Sequence, residues 1–165
     1  TVNARYVRMQ GVKRGLPYGY SLWEMEVYAT VKETAEYGVV SKNKTATTSG
    51  AETEAMAAAN AFDGDEGTRW SSNFADDAWI SVDLGKTYAI DKVVLNWEAA
   101  YGKAYKIQTS TDGNNWTTVK DLTNQDGGED TITFNAVNAR YVRMQGVKRG
   151  LPYGYSLWEM QIYGK

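Results

Sequence analysis

Residues 79–109, WISVDLGKTYAIDKVVLNWEAAYGKAYKIQT, decide the fold. Within them Ile80, Val82 and Leu84 alternate with Ser81 and Asp83. Val93, Leu95 and Trp97 alternate with Val94 and Asn96, and Tyr105, Ile107 and Thr109 alternate with Lys106 and Gln108. A two-residue period sends successive side chains to opposite faces of an extended chain, so each run predicts a strand with one buried face. The sequence Asp112-Gly113-Asn114-Asn115 predicts a turn, followed by strands over 116–119, 131–134, 140–145 and 157–163. Seven or eight short strands separated by turns predict an antiparallel β-sandwich. Upstream lies the exception, an Ala-rich run at 54–61. Ser49-Gly50-Ala51-Glu52 in front of it has the form of a capping box, so a short helix is predicted there.

Working outward, the stretch VNARYVRMQGVKRGLPYGYSLWEM at residues 2–25 returns unchanged at 137–160. Twenty-four identical residues in register are an internal repeat. After them the copies drift, Glu26-Val27-Tyr28-Ala29 against Gln161-Ile162-Tyr163-Gly164, as the ends of two related modules do. Residues 1–29 therefore read as the tail of an upstream sister module, 30–38 as a linker, and 39–165 as a complete module. The chain starts at Thr-Val-Asn, without Met or a basic leader, and reads as an excised fragment.

The composition excludes several functions. The 165 residues are 42% hydrophobic and 23% charged, with 18 Lys plus Arg against 20 Asp plus Glu. A net charge of -2 argues against a nucleic-acid surface. Without Cys or His there is no thiol or imidazole nucleophile, no serine-triad base and no ordinary zinc or copper site, so any metal is hard and oxygen-bound. No Gly-rich phosphate loop or nucleophile elbow is present, and no apolar run is long enough to span a bilayer. What stands out is the aromatic content, 6 Trp and 12 Tyr. Such wealth suits a β-sandwich and surfaces that bind sugars by stacking.

Asn60-Ala61-Phe62-Asp63-Gly64-Asp65-Glu66-Gly67-Thr68-Arg69-Trp70-Ser71-Ser72, then Trp79-Ile80-Ser81-Val82-Asp83-Leu84-Gly85, resemble the discoidin, or factor V/VIII C-type, domain. The likeness continues through Asp91 to Trp97, Tyr105 to Trp116, Ala139 to Arg143 and Tyr155 to Met160. The bacterial, cysteine-free form is similar to a family 32 carbohydrate-binding module, and the duplicated tail is similar to the paired discoidin domains of bacterial chitosanases. This resemblance implies an all-β, eight-stranded antiparallel jelly-roll sandwich, no catalysis, secretion from a bacterium, and sugar binding in loops at one end. It also implies a structural Ca²⁺ held by the carbonyls of Asn60 and Trp158 with Asp63, Asp65, Thr68 and Glu159, clamping the first loop to the last strand. By the residues alone the spacing is a weak signal, and an Asp-Gly turn is the better explanation of the loop.

Loops that the sandwich would bring together contain Glu52, Glu54, Phe74, Asp76, Asp77, Glu98, Tyr101, Lys103, Arg149 and Tyr153, with Tyr155 reading as core. Sugars need a few fixed polar groups and an aromatic face, and these residues offer both. Five of them are carboxylates against two bases. A carboxylate gains charge-assisted hydrogen bonds from a sugar ammonium, so the acidity favours chitosan, a glucosamine polymer, over a neutral glycan. Galactose-type or neutral β-glucan sugars, or cell-surface adhesion, are the alternatives. Anionic lipid is disfavoured because the loop tips are acidic rather than basic. A covalently linked catalytic domain and a sister module are the implied neighbours in the parent protein.

Overall fold

The predicted alternation becomes eight strands in the computed structural model, which describes Ala4, residues 6–28 and residues 36–165. They are β1 (Gly38–Val39), β2 (Thr45–Thr48), β3 (Trp70–Ser71), β4 (Trp79–Trp97), β5 (Gly102–Ser110), β6 (Thr117–Thr123), β7 (Glu129–Arg149) and β8 (Ser156–Gly164). Every pairing is antiparallel.

Two long strands bend and serve both layers. The first part of β4 pairs with β2 from Thr45↔Asp83 to Thr48↔Ile80 and with the end of β7 from Trp79↔Gln145 to Asp83↔Tyr141. Its last part pairs with the start of β7, Lys92↔Thr133 to Asn96↔Glu129, and with β8. Register shifts separate the two parts, where Gly85 takes φ +83°, a conformation that favours glycine. One connected sheet therefore folds over itself. The layers are β2-β4-β7-β5-β6 and β1-β8-β4-β7, with β3 beside β8. Ile80, Val82, Leu84, Val93, Leu95, Ile107, Met144, Leu157, Met160 and Ile162 fill the space between them, all fully buried. Each such side chain contributes about 1.5–3 kcal/mol of burial free energy.

The predicted helix over 54–61 does not form. Two 3₁₀ turns, Glu54–Met56 and Ala58–Phe62, are broken at Ala57, whose backbone is extended at φ -67°, ψ 156°. Tertiary burial overrides alanine's helix propensity, because Ala58, Ala61 and Phe62 all go inside. Nor is there a capping box. Ser49 Oγ accepts the Trp79 N–H at 3.0 Å, and Glu52 Oε2 accepts the Ser71 hydroxyl at 2.8 Å.

At the β4 bend, Arg140 Nε and Nη2 grip the two oxygens of Asp83 at 2.7 Å each, and Asp83 Oδ1 also accepts the Gly85 N–H. The guanidinium hydrogen bonds outweigh burial and hold the Asp83 carboxyl down at about 2. Its folded value thus lies below the usual unfolded value of about 3.9, so the stabilisation is complete above about pH 4 and fades as pH falls through about 2. D83N is accordingly expected to lower the thermal midpoint at pH 7, with the gap to wild type closing near pH 2. Paired melts across that range measure it.

The chain divides into two units, Thr1–Thr34 and Ala35–Lys165. In the first, the described residues form no helix or strand, and Tyr6, Leu22 and Trp23 are exposed. The predicted linker, 30–38, falls largely outside the described residues. Among the described residues no helix is long and apolar enough to cross a membrane.

Candidate functional site

Three connections meet at one end of the sandwich: the β2–β3 connection, the β4–β5 loop and the β7–β8 loop. Together they enclose a cleft of about 320 Å³ lined by Glu52, Arg69, Ser71, Glu98, Ala99, Ala100, Leu151 and Tyr153. Both carboxylates are held in place. Glu52 N donates to Ser71 O at 2.8 Å, and its Oε2 takes the Ser71 hydroxyl. Glu98 N donates to Ser156 O at 3.0 Å, and its Oε2 accepts the Ala100 N–H at 3.0 Å. Each carboxylate keeps Oε1 for a ligand, and neither forms an ion pair among the described residues. The single guanidinium in the lining, Arg69, donates Nη1 to Ser156 Oγ at 2.7 Å. Tyr153, 60% exposed, presents a ring at the rim.

The structure thus gathers Glu52, Glu98 and Tyr153 from the predicted set. Asp76 and Arg149 lie beside the cleft and bind each other: Arg149 N and Nε both donate to Asp76 Oδ1, at 3.0 and 2.9 Å. Those bonds, the backbone one foremost, lower the Asp76 carboxyl below its ordinary range. Tyr101 is half-buried, packs on the core and accepts Gly150 N through its carbonyl at 2.9 Å. Glu54, Phe74 and Lys103 are exposed outside the lining. Arg69, Ser71 and Leu151 were not predicted. Arg69 and Ser71 flank the fully buried Trp70, and that alternation was the available signal.

The predicted calcium ligands lie apart from the cleft, at 60–68 and on β8. Asp63 Oδ1 accepts Asp65 N at 2.8 Å, Asp63 Oδ2 accepts the Thr68 hydroxyl at 2.7 Å, and Asp65 Oδ1 accepts Gly67 N at 2.9 Å. Glu159, only 6% exposed, reaches this loop from β8, where Oε1 accepts Gly64 N at 2.7 Å. Burial raises the Glu159 carboxyl, and the nearby Asp63 charge raises it further against the Gly64 N–H. The Asn60 carboxamide instead donates to Ala55 O and Arg69 O, leaving its own carbonyl as the possible donor. Trp158 is half-buried in β8. Among the described residues no three acidic side chains converge. The donors are all hard oxygens around a buried carboxyl that forms no ion pair among the described residues, which suits a cation completed by carbonyls.

A profile of the F5/8 type C domain matches residues 43–160. The chain belongs to the F5/8 type C family. Within it, chitosan-binding module 1 of a chitosanase/glucanase from Paenibacillus sp. IK-5 is 50% identical, with a TM-score of 0.75, covering 77% of this chain and 99% of that one. Chitosan-binding module 2 of the same enzyme, solved in complex with chitotriose, is 46% identical, with a TM-score of 0.74, covering 76% of this chain and 99% of that one. The polysaccharide lyase 8 family protein HylA of Enterococcus faecalis (strain ATCC 700802 / V583) is 41% identical over 91 residues. That alignment takes in 53% of this chain and 7% of HylA. The eight antiparallel strands of this F5/8 type C domain agree with the jelly-roll sandwich expected from the sequence.

Proposed function

We propose that this F5/8 type C domain is a non-catalytic carbohydrate-binding module that takes the glucosamine units of chitosan in the cleft of Glu52, Glu98 and Tyr153. The observation that carries the reading is a pair of immobilised carboxylates, neither ion-paired, beside an exposed tyrosine ring. A sugar ammonium meets fixed acceptors, so little ordering remains to be done on binding, and the ring covers the sugar's C–H face. The likeness to two chitosan-binding modules over three quarters of the chain supports it. Titration with a glucosamine trimer beside its N-acetylated counterpart, galactose and a neutral β-glucan oligomer tests it. Heat and NMR shifts at the cleft are expected for the amine-bearing trimer. Preference for an uncharged sugar would overturn the charge argument. Prolonged incubation with chitosan oligomers is expected to yield no shorter sugars.

In the parent protein the module serves to hold a linked glycoside hydrolase on an extracellular polysaccharide, and the repeat at 2–25 marks a sister module whose second site raises avidity. We further propose that Ca²⁺ occupies the 60–68 loop, held by Asp63, Asp65, Thr68 and Glu159 with the carbonyls of Asn60 and Trp158. It neutralises the carboxylates and ties the loop to β8. With calcium 100-fold above Kd, binding stabilises the folded form by about 2.7 kcal/mol, so chelation is expected to lower the melting temperature by several degrees. An unchanged midpoint on a calcium-loaded sample would remove the ion from the account.

A further inference from the structure

Arg149 was expected to touch sugar, yet its hydrogen bonds point elsewhere. Besides Asp76, it donates Nη1 to Tyr153 O at 3.2 Å, spanning the turn that carries the cleft's aromatic ring. Asp76 sits in the facing loop, where its own carbonyl accepts the buried Tyr155 hydroxyl at 2.7 Å. Close packing fixes the turn at its ends. A β-carbon at Gly154 would lie 2.2 Å from Ser72 O, and one at Gly150 would lie 2.5 Å from the Tyr101 ring.

The repeat supplies an independent second instance. Residues 14–18 copy 149–153, and there Arg14 Nη1 donates to Tyr18 O at 3.4 Å and Pro17 O at 3.2 Å. Both segments form a bend, although the first has no facing aspartate in its unit. The sequence itself thus brings the arginine to the end of the turn, with Pro fixing one φ; where Asp76 faces it the bond goes to the tyrosine carbonyl at 3.2 Å, and without an aspartate it is shared with the proline carbonyl.

From this we infer that Arg149 is a positioning residue: it caps the Tyr153 carbonyl and so aims the Tyr153 ring over the glucosamine cleft, while Asp76 orients Arg149. The inference rests on the proposed chitosan reading. Pre-ordering the ring removes an ordering cost from binding. Lysine cannot substitute, because only the planar guanidinium fork reaches Asp76 and the Tyr153 carbonyl together.

The test is calorimetric titration of the full chain with a glucosamine trimer. R149A and R149K are each expected to bind about tenfold more weakly, the scale of one immobilised side chain. D76A is expected to weaken binding several-fold, and D76N, which keeps the Oδ1 acceptor, to recover most of that loss. In a Y153A background R149A is expected to add nothing further. Wild-type affinity in R149A, or a full loss on top of Y153A, would overturn the positioning role. Should R149A melt early, the D76A and D76N pair decides instead, and equal binding by those two counts against the inference. Unchanged binding by Y153A alone would sink the underlying cleft assignment rather than this step.

Discussion

E52Q/E98Q is expected to bind a glucosamine trimer about 100-fold more weakly than wild type, with its thermal midpoint nearly unchanged. Glutamine keeps the length and the acceptor oxygen of glutamate. The Ser71 hydroxyl and the Ala100 N–H therefore retain their partners, and the backbone bonds of residues 52 and 98 are untouched. Because the amide oxygen stays on those donors, the NH2 group takes the place of Oε1 and offers the ammonium neither charge nor an acceptor. A charge-assisted hydrogen bond contributes about 1.5–3 kcal/mol, so losing two costs at least about 3 kcal/mol, or two decades of affinity. The N-acetylated trimer has no ammonium, so its weaker binding should barely respond to the double substitution. Isothermal calorimetry with both sugars separates the cases, and equal losses for the two would place the affinity in shape rather than charge.

The largest stability effect is expected beneath the cleft. Asp130 Oδ2 accepts both the Trp97 indole N–H at 2.8 Å and the Tyr105 hydroxyl at 2.5 Å. Trp97 is 4% exposed and Tyr105 is fully buried, so both donors sit on buried side chains. Burial, reinforced by Asp130, pushes the Tyr105 hydroxyl well above its ordinary pKa, and it remains a donor throughout the working range. The Trp97 ring packs edge-on against Tyr105 at 5.3 Å and tilted against Tyr155 at 6.3 Å, forming one aromatic floor. D130A strands two buried donors at about 1–3 kcal/mol each, so a loss of about 3–5 kcal/mol is expected in urea or thermal unfolding. D130N keeps an acceptor and should lose less. In a Y105F background, where one donor is already gone, D130A should cost correspondingly less. A D130A midpoint within a degree of wild type would show that the two donors find other partners.

Much of this architecture was legible because strand periodicity is a local signal. The alternations at 80–84, 93–97 and 105–109 each put their apolar members at zero or near-zero exposure. The signal failed where few residues carry it. β2 reads TATT, with Ala46 its one apolar residue packed on the core, and β3 is two residues long. It misled at 54–61, where alanine propensity suggested a helix and the burial of Ala58, Ala61 and Phe62 imposed 3₁₀ turns. The cleft was half legible. Glu52, Glu98 and Tyr153 lie in loops that any jelly roll gathers at one end, but the pairing of Asp76 with Arg149 joins residues with no local relation in sequence. Two charges read from the sequence as sugar contacts bind each other.

The pairing of Gly38 with Gly164, with Ala89 and Lys165 bonded both ways, sets where the module is suspended. Its first and last strands lie side by side, and β8 runs nine residues from there to the cleft, about 30 Å of extended chain. The two ends of this unit thus lie together at one pole, with the cleft at the other, which gives the fold the form of a pendant. A load applied through residues 38 and 164 therefore enters along the β1 and β8 edge, at the far end of β8 from the cleft.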